Sequence, residues 1–557
     1  MRKIVAVLFA AVLAGTMVSS LKAQGHQTYD VVVYGGTSAG VMAAVAAKRT
    51  GASVVLVCPE KQIGGVTTGG LSWTDIGDEL KDRIIGGYTL NFFHRVYRYY
   101  HHPGAWKQQA LSDYQEEIAS TDHKILDNDS LMWTFEPHVA LKIFDDLIRE
   151  NHIPVRVNRW LNRKTGVRKV NGRIVSITML NGETYRGKVF IDATYEGDLM
   201  AAAGVSFTVG REGNSEYHET IDGVQLSTHH QFPDGVSPYK IPGNPSSGLA
   251  WGVSPDSLLP EGHGDKRVQA YNFRVCLTDS KENMIPITRP AGYHPNWYEL
   301  LIRLIKAQPG QRSLSDYFIW SPLPNRKTDI NNNGGFSTDM IGMSNEWPEG
   351  SYAKRRQLFK AHMQYTKGLL YFMGHDPRVP DTLRHQMLGW GYPKDEYRQS
   401  GHFTPELYVR EGRRMIGDYV ITEHDCRGTV TVTDGIALGY YNMDSHNCER
   451  IVVNGMVKNE GNVEAHIPHP YPISYRSIIP KSRDCSNLLV LVCMSATHIA
   501  YGSIRMEPEF MMLGQSSGTA AALAAKDNVD VQNLDYPELK EWLLKGGQIL
   551  RYVRNRQ

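Results

Sequence analysis

The sequence predicts an α/β fold: a Rossmann-like dinucleotide-binding domain that carries a β-meander and is interrupted by an inserted α+β domain. Three observations predict it. Residues 31–57 run as apolar strand, glycine turn, small-residue helix and second apolar strand. Residues 167–192 hold two Asn-Gly pairs between strand-like runs, the signature of hairpins. Residues 487–525 return to a strand and a small-residue helix after a long stretch, 210–455, rich in proline, glycine and aromatic residues.

In the first unit, Asp30 opens an apolar run too short for a helix, and Gly35 with Gly36 makes the turn. The helix that starts near Ser38 offers free N–H groups and about half a positive charge to a pyrophosphate. Gly35, Gly36, Thr37, Ser38, Ala39 and Gly40 are therefore candidate cofactor contacts, with Gly40 packing the helix on the strand and Gly51 ending it before Ser53–Val57. Two positions depart from the G-x-G-x-x-G fingerprint. Thr37 stands at the middle glycine, and Cys58 stands where a ribose-binding acid is expected, leaving Glu60, beside Lys61, as the substitute.

The loop from Pro59 to Asp75 has four glycines and four hydroxyl residues. Its place after the second strand suggests backbone wrapped around a cofactor, through Gly64, Gly65, Val66 and Thr67, rather than a plain surface loop. Pro137 to Glu150 has a helical apolar period with proline suited to its first turn, and Ile153–Val157 reads as the next strand. A three-stranded meander then leads to a strand ending at Asp192. Residues 210–455 read as a substrate-facing domain, with a turn-rich loop at Asp329–Asp339 and a helix near Tyr352–Tyr371. At the end come a strand at Asn487–Val492, a polar turn at Ser495–Tyr501, and a helix from Met511 whose segment Gly514–Gly518 is expected to present N–H groups to a second anionic partner.

Charge is balanced at +2, with Lys+Arg 60 against Asp+Glu 58 and no basic block, which argues against nucleic acid or a membrane surface as partner. Aromatic residues make up 10% of the chain, including 29 Tyr and 10 Trp, either as ordinary core or as a lining that stacks on sugar rings. Arg2 and Lys3, the apolar run Ile4–Val18 and Ala23 have the order of a signal peptide spanning 1–23, so a periplasmic or secreted protein with no membrane span after cleavage is expected. Six cysteines allow 15 pairings, with Cys426–Cys448 the pair that lies in one region. No cysteine pair has metal spacing, and His466 and His469 sit among prolines, so no metal is expected.

Four motifs occur in order: Gly-Gly-Thr-Ser-Ala-Gly at 35–40, Ile-Gly-Gly at 63–65, Asp-Ala-Thr-Tyr-Glu-Gly-Asp-Leu at 192–199, and Arg-Met-Glu-Pro through Gly-Gln-Ser-Ser-Gly between 505 and 518. In this order and spacing the chain resembles the FAD-dependent oxidoreductases of the glutathione-reductase-like two-domain flavoprotein superfamily. The resemblance implies FAD as cofactor, an FAD-binding domain built from residues 28–210 and 455–557, and a substrate or cap domain at 211–454. It implies that Gly64 and Gly65 begin the loop wrapping the adenosine and ribityl side, that the strand ending at Val157 lies near the adenine, and that Ala193 and Thr194 belong to a second FAD-contacting turn. It further implies that the helix bearing Gly514, Ser516 and Ser517 faces the flavin pyrimidine. Tyr195 stands where glycine is frequent in the family.

For a flavoenzyme the protein must orient a substrate C–H and handle a proton. His498 is the candidate base, or else a structural histidine bonded to backbone. Arg505 is a candidate to pair with a substrate carboxylate, with anionic flavin, or with Glu507. His446, in the cluster Asp444-Ser-His-Asn447 after Tyr440-Tyr441, is a second candidate contact. The charges of Tyr408–Arg414 read as an ion-pair network near the domain junction. The expected activity is hydride transfer between a small substrate, sugar or polyol alcohols first, and flavin N5, with an unidentified electron acceptor. Reduction of an activated double bond, and polysaccharide lyase chemistry of the xanthan type with which relatives are sometimes labelled, are the alternatives.

Overall fold

The computed structural model describes residues 28–75, 81–119 and 130–553; the expected signal peptide, 1–23, lies outside them. Strand β1 (Thr28–Tyr34) sits between β2 (Val54–Val57) and β6 (Thr184–Asp192), parallel to both, so that Val31 faces Val54 and Val189, and Tyr34 faces Val57 and Asp192. Both faces of these strands are covered, as their continuous apolar runs require. Val31 and Val33 belong to the large core on one face, while Val32 and Tyr34 belong to a smaller core on the other, which is the two-residue period of a strand made visible. Helix α1 (Ser38–Arg49) follows the turn as expected. Within the next loop a short helix, α2 (Gly65–Thr68), forms.

Helix α3 (Pro137–Glu150) has the predicted limits, with proline in its first turn and Val139, Ala140, Ile143, Phe144, Leu147 and Ile148 buried. The strand after it, β3 (Val155–Arg156), is shorter than Ile153–Val157. Pro154 has no N–H to give to the ladder, and Asn158 turns the chain away at φ 55°. Strands β4 (Val167–Val170) and β5 (Arg173–Thr178) join through Asn171 and Gly172, both at positive φ, the two-residue turn that the dipeptide predicts. Between β5 and β6 only Gly182 is left-handed, so Asn181-Gly182 ends a longer loop in which the Met179 N–H reaches Glu183 O at 2.8 Å.

The inserted region holds a five-stranded antiparallel sheet made of β7 (Val275–Thr278), β8 (Met284–Pro286), β9 (Phe318–Leu323), β10 (Lys327–Asn332) and β11 (Gly391–Pro393), in the order β8-β11-β7-β10-β9. Here the expected turn-rich loop at Asp329–Asp339 is corrected, because its first four residues are strand. Polar composition hid them: Asp329 lies inside the sheet against the Arg274 guanidinium at 2.7 Å, and Lys327 meets Glu136 and Glu396 at 2.7 Å each. Helix α4 (Tyr352–His375) is capped by Ser351, whose hydroxyl accepts the Lys354 N–H.

The chain then re-enters the first sheet. Strand β12 (Leu488–Val490) pairs in parallel with Phe190–Asp192 of β6, while the meander strand β5 takes the opposite end of that same β6 edge. Ser495–Tyr501 is not the expected polar turn throughout, since Thr497 caps a helix, α5 (His498–Ile504). The last long helix, α6 (Glu507–Asp527), starts at Glu507, with Pro508 in its first turn. Gly514 and Gly518 therefore lie within it, and their N–H groups serve the helix rather than an anion. Their smallness serves a crossing with α1: a Cβ on Gly514 would stand 2.3 Å from Ala39 O, and one on Gly518 2.1 Å from Ala43 O. No Cys426–Cys448 bridge forms; all six cysteines are buried free thiols.

Candidate active site

The two glycine loops are built against each other. Gly35 takes φ 115°, and a Cβ there would meet Ala193 C at 2.5 Å, so the first turn lies directly on the Asp192 turn. The Gly64 N–H donates to Gly36 O at 2.6 Å, joining the second loop to the first. Thr37 fits the middle-glycine position because its side chain turns inward: Oγ1 accepts from the Gly40 N–H at 3.2 Å and donates to Ala193 O at 2.7 Å. The N–H groups of Ser38 and Ala39 at the head of α1 have no acceptor among the described residues. A helix end with open N–H groups is an anion site.

Cys58 packs beneath the turn, where a Cβ on Gly36 would meet its Sγ at 2.7 Å, so it takes no ribose-facing position. Glu60 lies just beyond; burial, and then the negative charge of Glu196, push its carboxyl up to about 8. Lys61 is exposed, and Val157 is 39% exposed beyond the edge strand β3. Tyr195, in place of the family's glycine, lies over Gly65, and its hydroxyl accepts the Val66 N–H at 2.9 Å. Glu507 then gathers three segments, accepting from Ser38 Oγ at 2.5 Å, Thr67 Oγ1 at 2.6 Å and the Tyr195 hydroxyl at 2.8 Å. Asp192, raised to about 6 by burial, accepts the Thr194 N–H and hydroxyl and holds the second turn. Ser516 Oγ donates to Ile436 O at 2.7 Å, and Gly514, Ser516 and Ser517 are all buried inside α6, away from any helix end.

Residues 408–414 form the expected ion-pair network in an extended segment. Arg410 meets Asp339 at 2.9 Å, Arg413 meets Asp198 at 3.0 Å, and Arg414 meets Glu212 at 2.9 Å and Glu411 at 2.7 Å. Glu411 also receives His498 Nδ1 at 2.7 Å, while His498 Nε2 faces Ser445 Oγ at 2.9 Å. This is a serine, histidine, carboxylate row, but Ser445 and Glu411 have 0% exposure and His498 2%, so no substrate reaches it. His498 is thus no base acting on substrate; with both ring nitrogens engaged, it braces the strand Met443–Ser445 from behind.

In front of that strand lies a polar cavity of about 180 Å³. Its walls include Asp75, His230, Tyr408, Tyr441, Asp444, His446 and Arg505. Arg505 meets Asp444 Oδ2 at 2.6 Å and donates to the Tyr408 hydroxyl at 3.0 Å; it does not pair with Glu507. Burial pushes the Asp444 carboxyl up, but the charges of His446 and Arg505 outweigh it and hold the group well below the usual carboxylate range. His446 bridges Asp339 through Nδ1 at 2.9 Å and Asp444 through Nε2 at 3.4 Å. Met506, at the junction of α5 and α6, lines the same cavity, so the positive end of α6 borders it at this point and not at Gly514.

The sequence brought out His446 and Arg505, and the structure sets them in one wall. It missed Asp75, His230 and Glu464, which arrive on three separate segments. Asp75 pairs with Arg274 at 2.9 Å, and His230 with Glu464 at 3.3 Å. The adjacent pair His229-His230 was the available signal.

A family model described as FAD dependent oxidoreductase matches residues 30–543. The chain belongs to this family. Membership in this family makes FAD the cofactor. The residues fit that group: the open N–H groups of Ser38 and Ala39 suit the pyrophosphate, and Glu60, which has no cationic partner among the described residues, suits a ribose hydroxyl. No curated protein matches the chain. Similar solved structures include a mutant flavin monooxygenase from Stenotrophomonas maltophilia, 17% identical over 34% of this chain and 43% of that one, TM-score 0.18. A 3-ketosteroid-delta4-(5alpha)-dehydrogenase from Rhodococcus jostii RHA1 is 15% identical over 33% of this chain and 50% of its own, TM-score 0.19. A flavocytochrome c3 fumarate reductase is 18% identical over 34% and 43%, TM-score 0.20. This chain thus spans half or less of these neighbours, and overlaps so partial add nothing to the family match.

Proposed function

We propose that this FAD-dependent oxidoreductase is exported and oxidises a hydroxyl-bearing carbon of a small neutral substrate, with sugars and polyols as the class. The observation that carries this reading is the charge pairing of the cavity wall. Arg505 is already matched by Asp444 and Asp75 by Arg274, so no unmatched guanidinium remains to clamp a carboxylate. That weighs against reduction of an activated acid. Hydroxyl, imidazole and amide groups from Tyr408, Tyr441, His446, Asn331 and Asn332 offer donors and acceptors to several hydroxyls instead.

FAD, when bound, supplies a hydride acceptor at N5. His446, once its Nε2 has given up the 3.4 Å contact with Asp444 and the ring stands neutral, takes the hydroxyl proton at that nitrogen, Asp339 on Nδ1 fixes the tautomer and stabilises the imidazolium, and Arg505 holds Asp444 in place beside it. The test is anaerobic mixing of the yellow oxidised protein with sugars, polyols and amines while the flavin band is followed. Neutral sugars or polyols are expected to bleach the band, and His446→Gln to slow bleaching by about 10²-fold or more with the flavin still bound. Bleaching by none of the hydroxyl compounds, or an unchanged rate in the variant, overturns the reading. Cell fractionation with N-terminal sequencing tests export, with a mature end near Gln24 expected.

A further inference from the structure

We propose that a second cavity, beside Trp320 and Trp390, is a subsite for the outer residues of a neutral oligosaccharide whose terminal residue enters the redox cavity; this rests on the sugar reading above. The second cavity is an open, shallow groove of about 300 Å³ lined by Ser313, Leu314, Ser315, Trp320, Gln386 and Trp390. Its two indoles stand 5.0 Å apart at 72°, edge to face, and both are only partly buried. They form an aromatic corner with ring surface open to a ligand. Tryptophan offers an apolar face to the C–H side of a sugar and an N–H to its hydroxyls.

The rim of this corner is rigid. Gln386 is pinned at both ends, its Oε1 accepting the Leu314 N–H at 3.0 Å and its Nε2 donating to Arg312 O at 2.9 Å, and the Ser313 and Ser315 hydroxyls bond each other at 2.8 Å. Ser313 Oγ also accepts the Ser315 N–H at 3.3 Å. No charged side chain lines it. A neutral polyhydroxylated ligand matches that lining, and a phosphate or an acidic polymer does not.

The placement ties the two cavities together. Ile319, 44% exposed, lines the redox cavity, while its neighbour Trp320 lines the second. Successive side chains of a strand point to opposite faces, so a single strand, β9, separates the two. That strand pairs only with β10 and is the edge of its sheet. Passing from one face to the other around an edge strand takes about 10 Å, the thickness of a packed sheet layer. A trisaccharide bent over this edge is long enough to place its terminal residue in one cavity and an outer residue in the other.

The experiment uses the FAD-loaded protein with a panel of neutral trisaccharides and their constituent monosaccharides, measured by equilibrium binding and by flavin bleaching. Trp320→Ala is expected to weaken trisaccharide binding and raise its KM roughly tenfold, leaving monosaccharide kcat and KM unchanged. Trp390→Phe, which keeps an aromatic wall, guards against a folding defect and is expected to fall between. Absence of trisaccharide binding by the wild-type protein, or equal effects of Trp320→Ala on trisaccharide and monosaccharide, overturns the subsite. Trisaccharide binding that depends on Trp320 while no sugar bleaches the flavin supports the subsite and overturns the redox reading instead.

Discussion

Replacing Gly518 by alanine tests the helix crossing on which the cofactor domain is built. The new methyl would lie 2.1 Å from Ala43 O and 2.8 Å from Ala43 C, both backbone atoms of α1. Ordinary contact needs about 3.5 Å, so the helices must part by more than an ångström. Overpacking of this kind costs about 1–3 kcal/mol, against a gain of about 1 kcal/mol from alanine's better helix propensity. A net loss of up to about 2 kcal/mol is expected, along with weaker FAD retention, because α1 carries the open N–H groups of Ser38 and Ala39. Thermal unfolding and the flavin absorbance per protein after gel filtration measure both effects. Gly104→Ala, where nothing lies within 4 Å of the new methyl, is the matched control and is expected to change neither. A Gly518→Ala protein more stable than the wild type and with its FAD fully retained refutes the crossing.

His498→Gln is expected to lose stability by about 1–3 kcal/mol, because Glu411 is left buried without that partner, while the pH profile of flavin bleaching stays where it was; full stability with abolished bleaching would reinstate His498 as the base. Denatured under non-reducing conditions, the protein is expected to titrate as six free thiols, and an intact mass two hydrogens lighter than the thiol form would contradict this. Glu396 and Glu411 each hold a folded pKa of about 2 against an ordinary 4.5, burial being outweighed by Lys327 and His138 at the first and by His498 and Arg414 at the second. A depressed acid stabilises fully above its unfolded pKa, so urea midpoints should fall as pH drops from 4.5 toward 2, and Glu396→Gln should show a shallower fall. A variant with the wild-type slope in that window would exclude Glu396 as a source.

What could be read from the chain is what neighbours in sequence decide. The limits of α3 follow from its apolar period and Pro137, and the Asn171-Gly172 turn follows from its two left-handed residues. Segments whose meaning is set by distant partners were not legible. The small residues of Gly514–Gly518 suit an anion-binding helix end or a close crossing equally well, and only α1, from the other end of the chain, decides. Asp329 read as loop because its neutralising partner, Arg274, lies on another segment. In the site, Arg505 and His446 stood out in polar clusters. The bracing role of His498 depends on Glu411 and Ser445, which local sequence cannot bring together.

The Glu507 clasp has a consequence for how the protein acquires its cofactor. One carboxylate near the end of the chain joins the head of α1, the second glycine loop and Tyr195, three segments from the first two hundred residues. During synthesis those segments emerge long before the group that gathers them. Flavin capture is therefore a late event, completed once α6 docks, and a chain cut short before Glu507 lacks the tie that closes the cradle.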